Sequence, residues 1–157
     1  MDLKEYIEMF KDGGVKAMLD WDALRDMDCA VSAVYSRSRD LLSSIFTVWY
    51  ERPDGTNGDW RNRTDRPLRV GDVYRTHSTW PEVRRRRIAA LSDTFRREPE
   101  PVQLVLPAYS LGDERLLLLD GTHRSVAAHL AGADVRLFIF MVKGPVDDKI
   151  LPDLMHF

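Results

Sequence analysis

The sequence predicts an α+β protein with a small mixed sheet, flanking helices and a helical N-terminal extension. Three apolar runs in the C-terminal half, residues 102–109, 115–119 and 135–142, have the length and composition of buried strands. Before about residue 66 the apolar residues fall mostly at helical spacing. We therefore expect a mainly helical extension over residues 1–66, packed on a domain over residues 67–157.

Composition limits the class of protein. A chain of 157 residues that is 44% hydrophobic and 31% charged fits one globular unit. A net charge of −2 argues against a surface that is cationic throughout. Cys29, the single cysteine, cannot form an internal disulfide, and the N-terminus is acidic and lacks a long apolar run. These features predict a cytoplasmic protein with no membrane segment.

The N-terminal elements follow from spacing and composition. Leu3, Tyr6, Ile7 and Phe10 predict a helix over residues 2–10, which Gly13-Gly14 would end. Residues 15–42 contain neither Gly nor Pro, and their apolar spacing predicts a helix in two pieces. Residues 45–50 are β-branched or aromatic, so they predict a strand before the turn R-P-D-G-T-N-G-D.

The remaining elements alternate between helix and strand. Residues 59–67 predict a loop, and residues 68–75 a short strand. A helix is expected from Trp80-Pro81-Glu82 to about residue 97, with most of Arg84 to Arg87 in solvent. Strand, hairpin, strand, helix and strand follow, with Gly132 ending the helix. The tail after residue 142 is expected to pack loosely.

The turn D-G-T-H-R joins a predicted strand to a predicted helix. Free backbone N–H groups and the positive end of the helix dipole at such a turn attract anions. Gly121 allows close approach of a ligand, His123 and Arg124 suit phosphate oxygens, and Asp120 suits Mg²⁺ or a hydroxyl proton. The alternative is structural: Asp120 and Thr122 would cap the helix, His123 would be a satisfied polar residue, and Arg124 would form a surface ion pair.

This segment, with the predicted elements around it, resembles the ParB/sulfiredoxin superfamily over residues 68–142. In that family a β-hairpin leads into a motif such as D-G-x-H-R at a helix start, where nucleotide phosphates bind. The resemblance implies that Gly121, Thr122, His123, Arg124 and Ser125 bind the nucleotide. Sulfiredoxin activity needs a cysteine where this chain has Thr122, so that activity is rejected. Chromosome-partitioning members carry G-E-R-R and a following DNA-binding domain. This chain carries D-G-T-H-R, and about 15 residues after the last predicted strand are too few for such a domain, so a partitioning function is not expected.

The free serine kinases of the superfamily have the D-G-x-H-R form, an ADP donor and an acidic base near the start of the upstream helix. Asp120, His123 and Arg124 match, whereas Thr122 departs from the usual His. The segment R-T-H-S-T-W-P-E-V then offers Glu82 or His77 as the base. The resemblance thus implies phosphoryl transfer from an adenine nucleotide, ADP or ATP, with Mg²⁺ on Asp120. The acceptor would be a small molecule, or water in a nucleotide hydrolase.

Other functions stay open on the sequence. A nucleotide sensor without turnover would use the same turn, and a nucleic-acid-binding or nuclease-like protein would use Arg84 to Arg87. Residues 1–66 would form a lid, an acceptor pocket or a homodimer interface. Trp21 and Trp49 are expected in the core, and Trp60 and Trp80 are candidates to flank a base or substrate.

Overall fold

The computed structural model describes residues 1–12, 15 and 17–157. Its centre is one six-stranded mixed sheet, which confirms the α+β class. The strand order is β1-β6-β4-β5-β2-β3; β4 runs parallel to β6 and antiparallel to β5. The strands are β1 (Ala30–Ser36), β2 (Phe46–Glu51), β3 (Arg66–Arg69), β4 (Val102–Gly112), β5 (Arg115–Leu118) and β6 (Val135–Lys143).

Helices cover both faces of the sheet. The α-helices are α1 (Leu3–Phe10), α2 (Trp21–Asp26), α3 (Arg39–Ser44), α4 (Glu82–Arg97) and α5 (Thr122–Leu130). One apolar cluster lies between the sheet and α4 and α5, and includes Leu104, Leu106 and Leu118. The other lies beneath α1 and includes Leu117 and Leu119. Neighbouring residues of β5 therefore enter opposite cores, which explains its unbroken leucine run.

The helical prediction for residues 15–42 is wrong over Ala30–Ser36, which forms β1 and pairs with β6 along its whole length. The N-terminal extension is consequently not mainly helical, because β1 and β2 belong to the same sheet as β4 to β6. The segment A-V-S-A-V-Y-S has no turn residue to mark it off, and pairing with β6 overrides its weak helical pattern. The predicted stop at Gly13-Gly14 lies outside the described residues.

Elsewhere the predicted elements are mostly confirmed. A capping box formed by Asp2 and Glu5 begins α1, and residues 46–51 form the predicted strand. The β4–β5 hairpin, α4, α5 and β6 all form, and Gly132 follows α5 with a φ of +63°. The short strand expected at residues 68–75 is instead β3, which begins at Arg66, and the 3₁₀ helix Val70–Thr79.

The C-terminal tail packs tightly, so the prediction of loose packing is wrong. Ile150, Leu151 and Leu154 are buried in the apolar cluster that lies beneath α1, here called the second core. The Tyr50 hydroxyl donates a hydrogen bond to Asp153 Oδ2 at 2.6 Å, inside the 3₁₀ helix Pro152–His156. Three apolar residues within five positions are too few to show periodicity, which is why the sequence pattern did not reveal them.

Within the described part of the chain, no helix combines the length and apolar content needed to cross a bilayer.

Candidate functional site

The D-G-T-H-R turn connects β5 to α5 through a left-handed glycine. Gly121 is the N-cap residue of α5 and has a φ of +86°, a conformation that costs an L side chain energy. Asp120 Oδ1 accepts a hydrogen bond from the Gly121 N–H at 2.7 Å. No side chain of the described residues caps the helix, and its hydrogen-bond ladder begins with the Ser125 N–H donating to the Gly121 carbonyl. The first turn of α5 therefore has donors available for an anion.

This geometry bears on the structural alternative for the turn. Asp120 does not cap the first turn of α5, because its carboxylate accepts from the N-cap residue itself. The ion pairs among the described residues do not include Arg124, which is exposed. Among the described residues, neither the side-chain cap nor the Arg124 ion pair of the structural alternative is present.

A cleft of about 460 Å³ opens at this turn. Its size lies in the range of small-molecule sites. The turn supplies one wall, β2 a second and α4 a third. The lining residues are Val48, Trp49, Arg87, Leu119, Asp120, Gly121, Thr122, His123 and Arg124.

Trp49 connects the cleft to α4. Its ring meets the His123 ring edge to face, with centroids 4.9 Å apart. The Arg84 guanidinium carbon lies 3.8 Å from the Trp49 ring centroid, and Arg84 Nη1 donates to Asn57 Oδ1 at 2.8 Å. Burial lowers the pKa of Arg84 to about 10, so it stays charged at neutral pH. The Arg84–Trp49 contact thus holds a positive charge close to His123.

His123 is neutral at physiological pH. Its pKa falls from 6.5 to about 4, first because the ring is partly buried, and then because Arg87 and Arg84 are positive. Asp120 opposes this shift. A neutral imidazole offers one N–H donor and one nitrogen acceptor, so His123 can bind an oxygen or accept a proton.

The cleft fits Mg²⁺ only together with a phosphate ligand. Among the described residues, Asp120 is the one carboxylate that lines the cleft, and no group of three or more His, Cys, Asp or Glu would hold a metal. Mg²⁺ commonly uses one or two carboxylates together with phosphate oxygens and water. A single aspartate beside two arginines suits that kind of binding and does not suit a site built from protein ligands alone.

Glu82 and His77 do not line the cleft. The Glu82 side chain is 61% exposed at the start of α4 and pairs with Arg86, Oε1 to Nε, at 2.8 Å. His77 stacks on Tyr74, with ring centroids 4.5 Å apart, and lines a separate cavity of about 290 Å³ beside α4. The two predicted bases therefore lie apart from the turn that they were expected to serve.

Ser125 and Thr122 differ in their access to the cleft. Thr122 lines the cleft although it is largely buried. Ser125 is completely buried, and its Oγ has no hydrogen-bond partner among the described residues. Of the five residues predicted to bind a nucleotide, Ser125 alone is not among those that line the cleft.

The tryptophans match the expectation only in part. Trp49, expected in the core, packs against the apolar cluster beneath α4 and α5, but it is only half-buried and also lines the cleft. Trp80, a candidate to flank a ligand, is buried and donates from Nε1 to Thr76 Oγ1 at 2.9 Å. Trp21 packs beside the second core, and the Trp60 carbonyl lies 2.7 Å from His156 Nε2 in the tail.

The four consecutive arginines are only partly solvated. Arg86 and Arg87 are exposed, whereas Arg84 and Arg85 are half-buried, so the expectation for most of the run is wrong. Arg84 packs on Trp49, and Arg85 Nη2 donates to the Ser78 carbonyl at 3.0 Å.

Fold and cleft together define a mixed α/β protein with a positively charged cleft at the start of a helix. No protein-family model, curated protein sequence or solved structure matches the chain. The chemistry of the cleft must therefore be inferred from its own residues.

Proposed function

We propose that the cleft binds the phosphates of an adenine nucleotide, ADP or ATP, and catalyses phosphoryl transfer. The observation that carries this proposal is the convergence of Arg87, Arg124, neutral His123 and the uncapped start of α5 on one cleft. Guanidinium groups bind phosphate oxygens in pairs of hydrogen bonds, and a helix N-terminus adds backbone donors. Both kinds of donor are available at the same turn.

Phosphoryl transfer depends mainly on positioning and on neutralising charge. Arg87 and Arg124 would hold phosphate oxygens, and Asp120 would help to hold Mg²⁺, which supplies charge neutralisation on the phosphates when bound. With Glu82 and His77 away from the cleft, Asp120 and His123 are the two proton acceptors among the described residues that line it. Either would accept the proton of a small-molecule hydroxyl in a kinase, or of water in a hydrolase.

The order of elements supports the ParB/sulfiredoxin resemblance as part of this proposal. The β4–β5 hairpin leads into the D-G-T-H-R turn, α5 follows, and β6 returns parallel to β4. A strand, turn and helix in this order present their backbone donors at one end of the sheet.

The charge of one segment favours nucleic acid as a second candidate ligand. Residues 52–97 contain twelve arginines and six acidic residues, in a chain whose net charge is −2. Positive charge concentrated in one region attracts polyanions, and such binding weakens steeply with salt. In a gel-shift assay, retention of nucleic acid at moderate salt would favour this second candidate.

The proposal is tested by calorimetric titration of ADP, ATP and CTP with Mg²⁺ into the wild-type chain and three variants. Arg124→Ala and Arg87→Ala should each weaken adenine-nucleotide binding by about tenfold or more, because each removes a charge-assisted hydrogen-bond donor. Arg86→Ala is the matched control, because Arg86 lies beside Arg87 on α4 but pairs with Glu82 outside the cleft. Its affinity should equal that of the wild type.

Turnover separates an enzyme from a sensor. The same proteins are incubated with Mg²⁺ and the bound nucleotide, and phosphate release or transfer to added hydroxyl compounds is measured. Product that depends on Mg²⁺ and is lost in Arg124→Ala supports the enzyme. Binding without any product identifies a sensor, and the absence of binding by every nucleotide rejects the proposal.

A further inference from the structure

The two edges of the sheet differ in the features that control pairing with another chain. β3, at one edge, is four residues long, R-P-L-R, and contains Pro67 and an arginine at each end. Short length, proline and charge each oppose the addition of a further strand. The β3 edge is therefore protected against association.

β1, at the opposite edge, lacks this protection. It is seven residues long, A-V-S-A-V-Y-S, and contains neither a charged residue nor proline. It pairs with β6 without a register shift from Ala30 to Ser36, so the edge is regular. Val34 is 38% exposed and Tyr35 is 54% exposed. A regular, uncharged edge of this length presents unpaired backbone donors and acceptors to another strand.

An exposed apolar row continues from this edge across the sheet. The strand register places Tyr35 beside Phe138, and Phe138 beside Val105. The Tyr35 and Phe138 ring centroids are 5.2 Å apart, and all three side chains are exposed. The edge therefore combines a free backbone with apolar side chains.

The charges that flank β1 are arranged for antiparallel pairing with an identical strand. Asp26 and Asp28 precede β1, whereas Arg37 and Arg39 follow it. When two copies of β1 run antiparallel, the acidic end of each lies beside the basic end of the other. Parallel pairing would bring like charges together, so the flanking charges select the antiparallel arrangement.

We propose that two copies of this chain form a homodimer through antiparallel pairing of β1 with β1. A two-fold axis at Ala33, the middle residue, pairs the strands over their full length and makes a continuous twelve-stranded sheet. In this register Tyr35 lies opposite Val31 of the second copy, which gives an aromatic and β-branched pair on each side of the axis.

The test is sedimentation equilibrium of the full chain. The wild type should show a mass of about 36 kDa, twice the 18.1 kDa of one chain. Ala33→Lys places two ammonium groups directly opposite each other on the axis and should raise the dissociation constant about tenfold or more. Val83→Lys is the matched control, because Val83 is an exposed apolar residue on α4, away from the edge, and should leave the dimer unchanged.

A second edge variant, Val34→Lys, guards against a misleading result from one substitution, and thermal unfolding by circular dichroism confirms that each variant is folded. A wild-type mass of 18.1 kDa at concentrations on the order of 100 μM overturns the proposal. A dimer that persists in both lysine variants also overturns it, because that dimer uses another surface. Unfolding of both edge variants has the same meaning, since a free edge accepts exposed lysines.

Discussion

Substitution of Gly121 by alanine tests whether the turn has the geometry that the cleft requires. The φ of +86° at Gly121 costs an L residue about 1–2 kcal/mol. The added Cβ would also lie 3.0 Å from Leu106 Cδ2. Leu106 is completely buried and has little room to move, so this contact adds about 1 kcal/mol. The expected loss in the free energy of unfolding is about 2–3 kcal/mol.

Gly112→Ala provides the matched control. Gly112 has a φ of +80°, but nothing lies within 4 Å of its added Cβ. The two variants therefore share the backbone strain and the lost freedom of the unfolded chain, and differ in the contact with Leu106. Chemical denaturation should place Gly121→Ala about 1 kcal/mol below Gly112→Ala, which corresponds to about 2–4 °C in Tm for a chain of this length. Equal stabilities would show that the turn relaxes and would refute the reasoning.

Three further predictions concern charge and packing. NMR titration of His123 should give an imidazole pKa of about 4 in the folded chain. Because the unfolded chain takes up a proton on this histidine at a higher pH, the free energy of unfolding should decrease as pH falls from 6.5 toward 4. His123→Asn should remove that decrease. A midpoint near 6.5 would contradict the burial of the ring. Burial raises the pKa of Asp153, so the folded state keeps a proton that the unfolded chain releases, and stability should decline as pH rises above 3.8. In Asp153→Asn the amide oxygen still accepts from Tyr50, and the free energy of unfolding should no longer decline with pH. The same pH dependence in this variant as in the wild type would contradict a raised pKa of Asp153 as its cause. Leu104→Ala empties a fully buried site and should cost about 2–5 kcal/mol in denaturant unfolding, whereas a loss below about 1 kcal/mol would exclude the packing described.

The predictable part of the fold is the part specified by local signals. The β4–β5 hairpin, α5 and β6 follow one another with turn residues between them, so apolar periodicity and turn residues were sufficient to predict these elements. β1 could not be predicted in this way because its pairing partner, β6, lies about 100 residues further along the chain. Its small and β-branched residues fit either a helix or a strand until that partner is known.

The candidate site divides in the same way. Asp120 to Arg124 are contiguous, and the strand-turn-helix pattern predicted their common position. Trp49 reaches the cleft only because β2 pairs in parallel with β5, a long-range contact that no local pattern specifies. The predicted bases failed to reach the cleft for a related reason: the 3₁₀ helix and the first turn of α4 direct His77 and Glu82 to other surfaces.

The contribution of α4 was nevertheless encoded in the sequence. A run of four arginines surrounds a helix, so the run alone does not show which members face the body of the protein. The stripe formed by Ile88, Leu91 and Phe95 supplies the missing orientation. Arg84 lies four residues before Ile88, and Arg87 four residues before Leu91, which places both along the stripe, whereas Arg86 points away and pairs with Glu82. Arg85 lies three residues before Ile88 and is also half-buried, but its guanidinium donates to the Ser78 carbonyl, so the charges that lower the pKa of His123 are those of Arg87 and Arg84. The amphipathic helix α4, which builds part of the core, therefore also brings positive charge to the cleft.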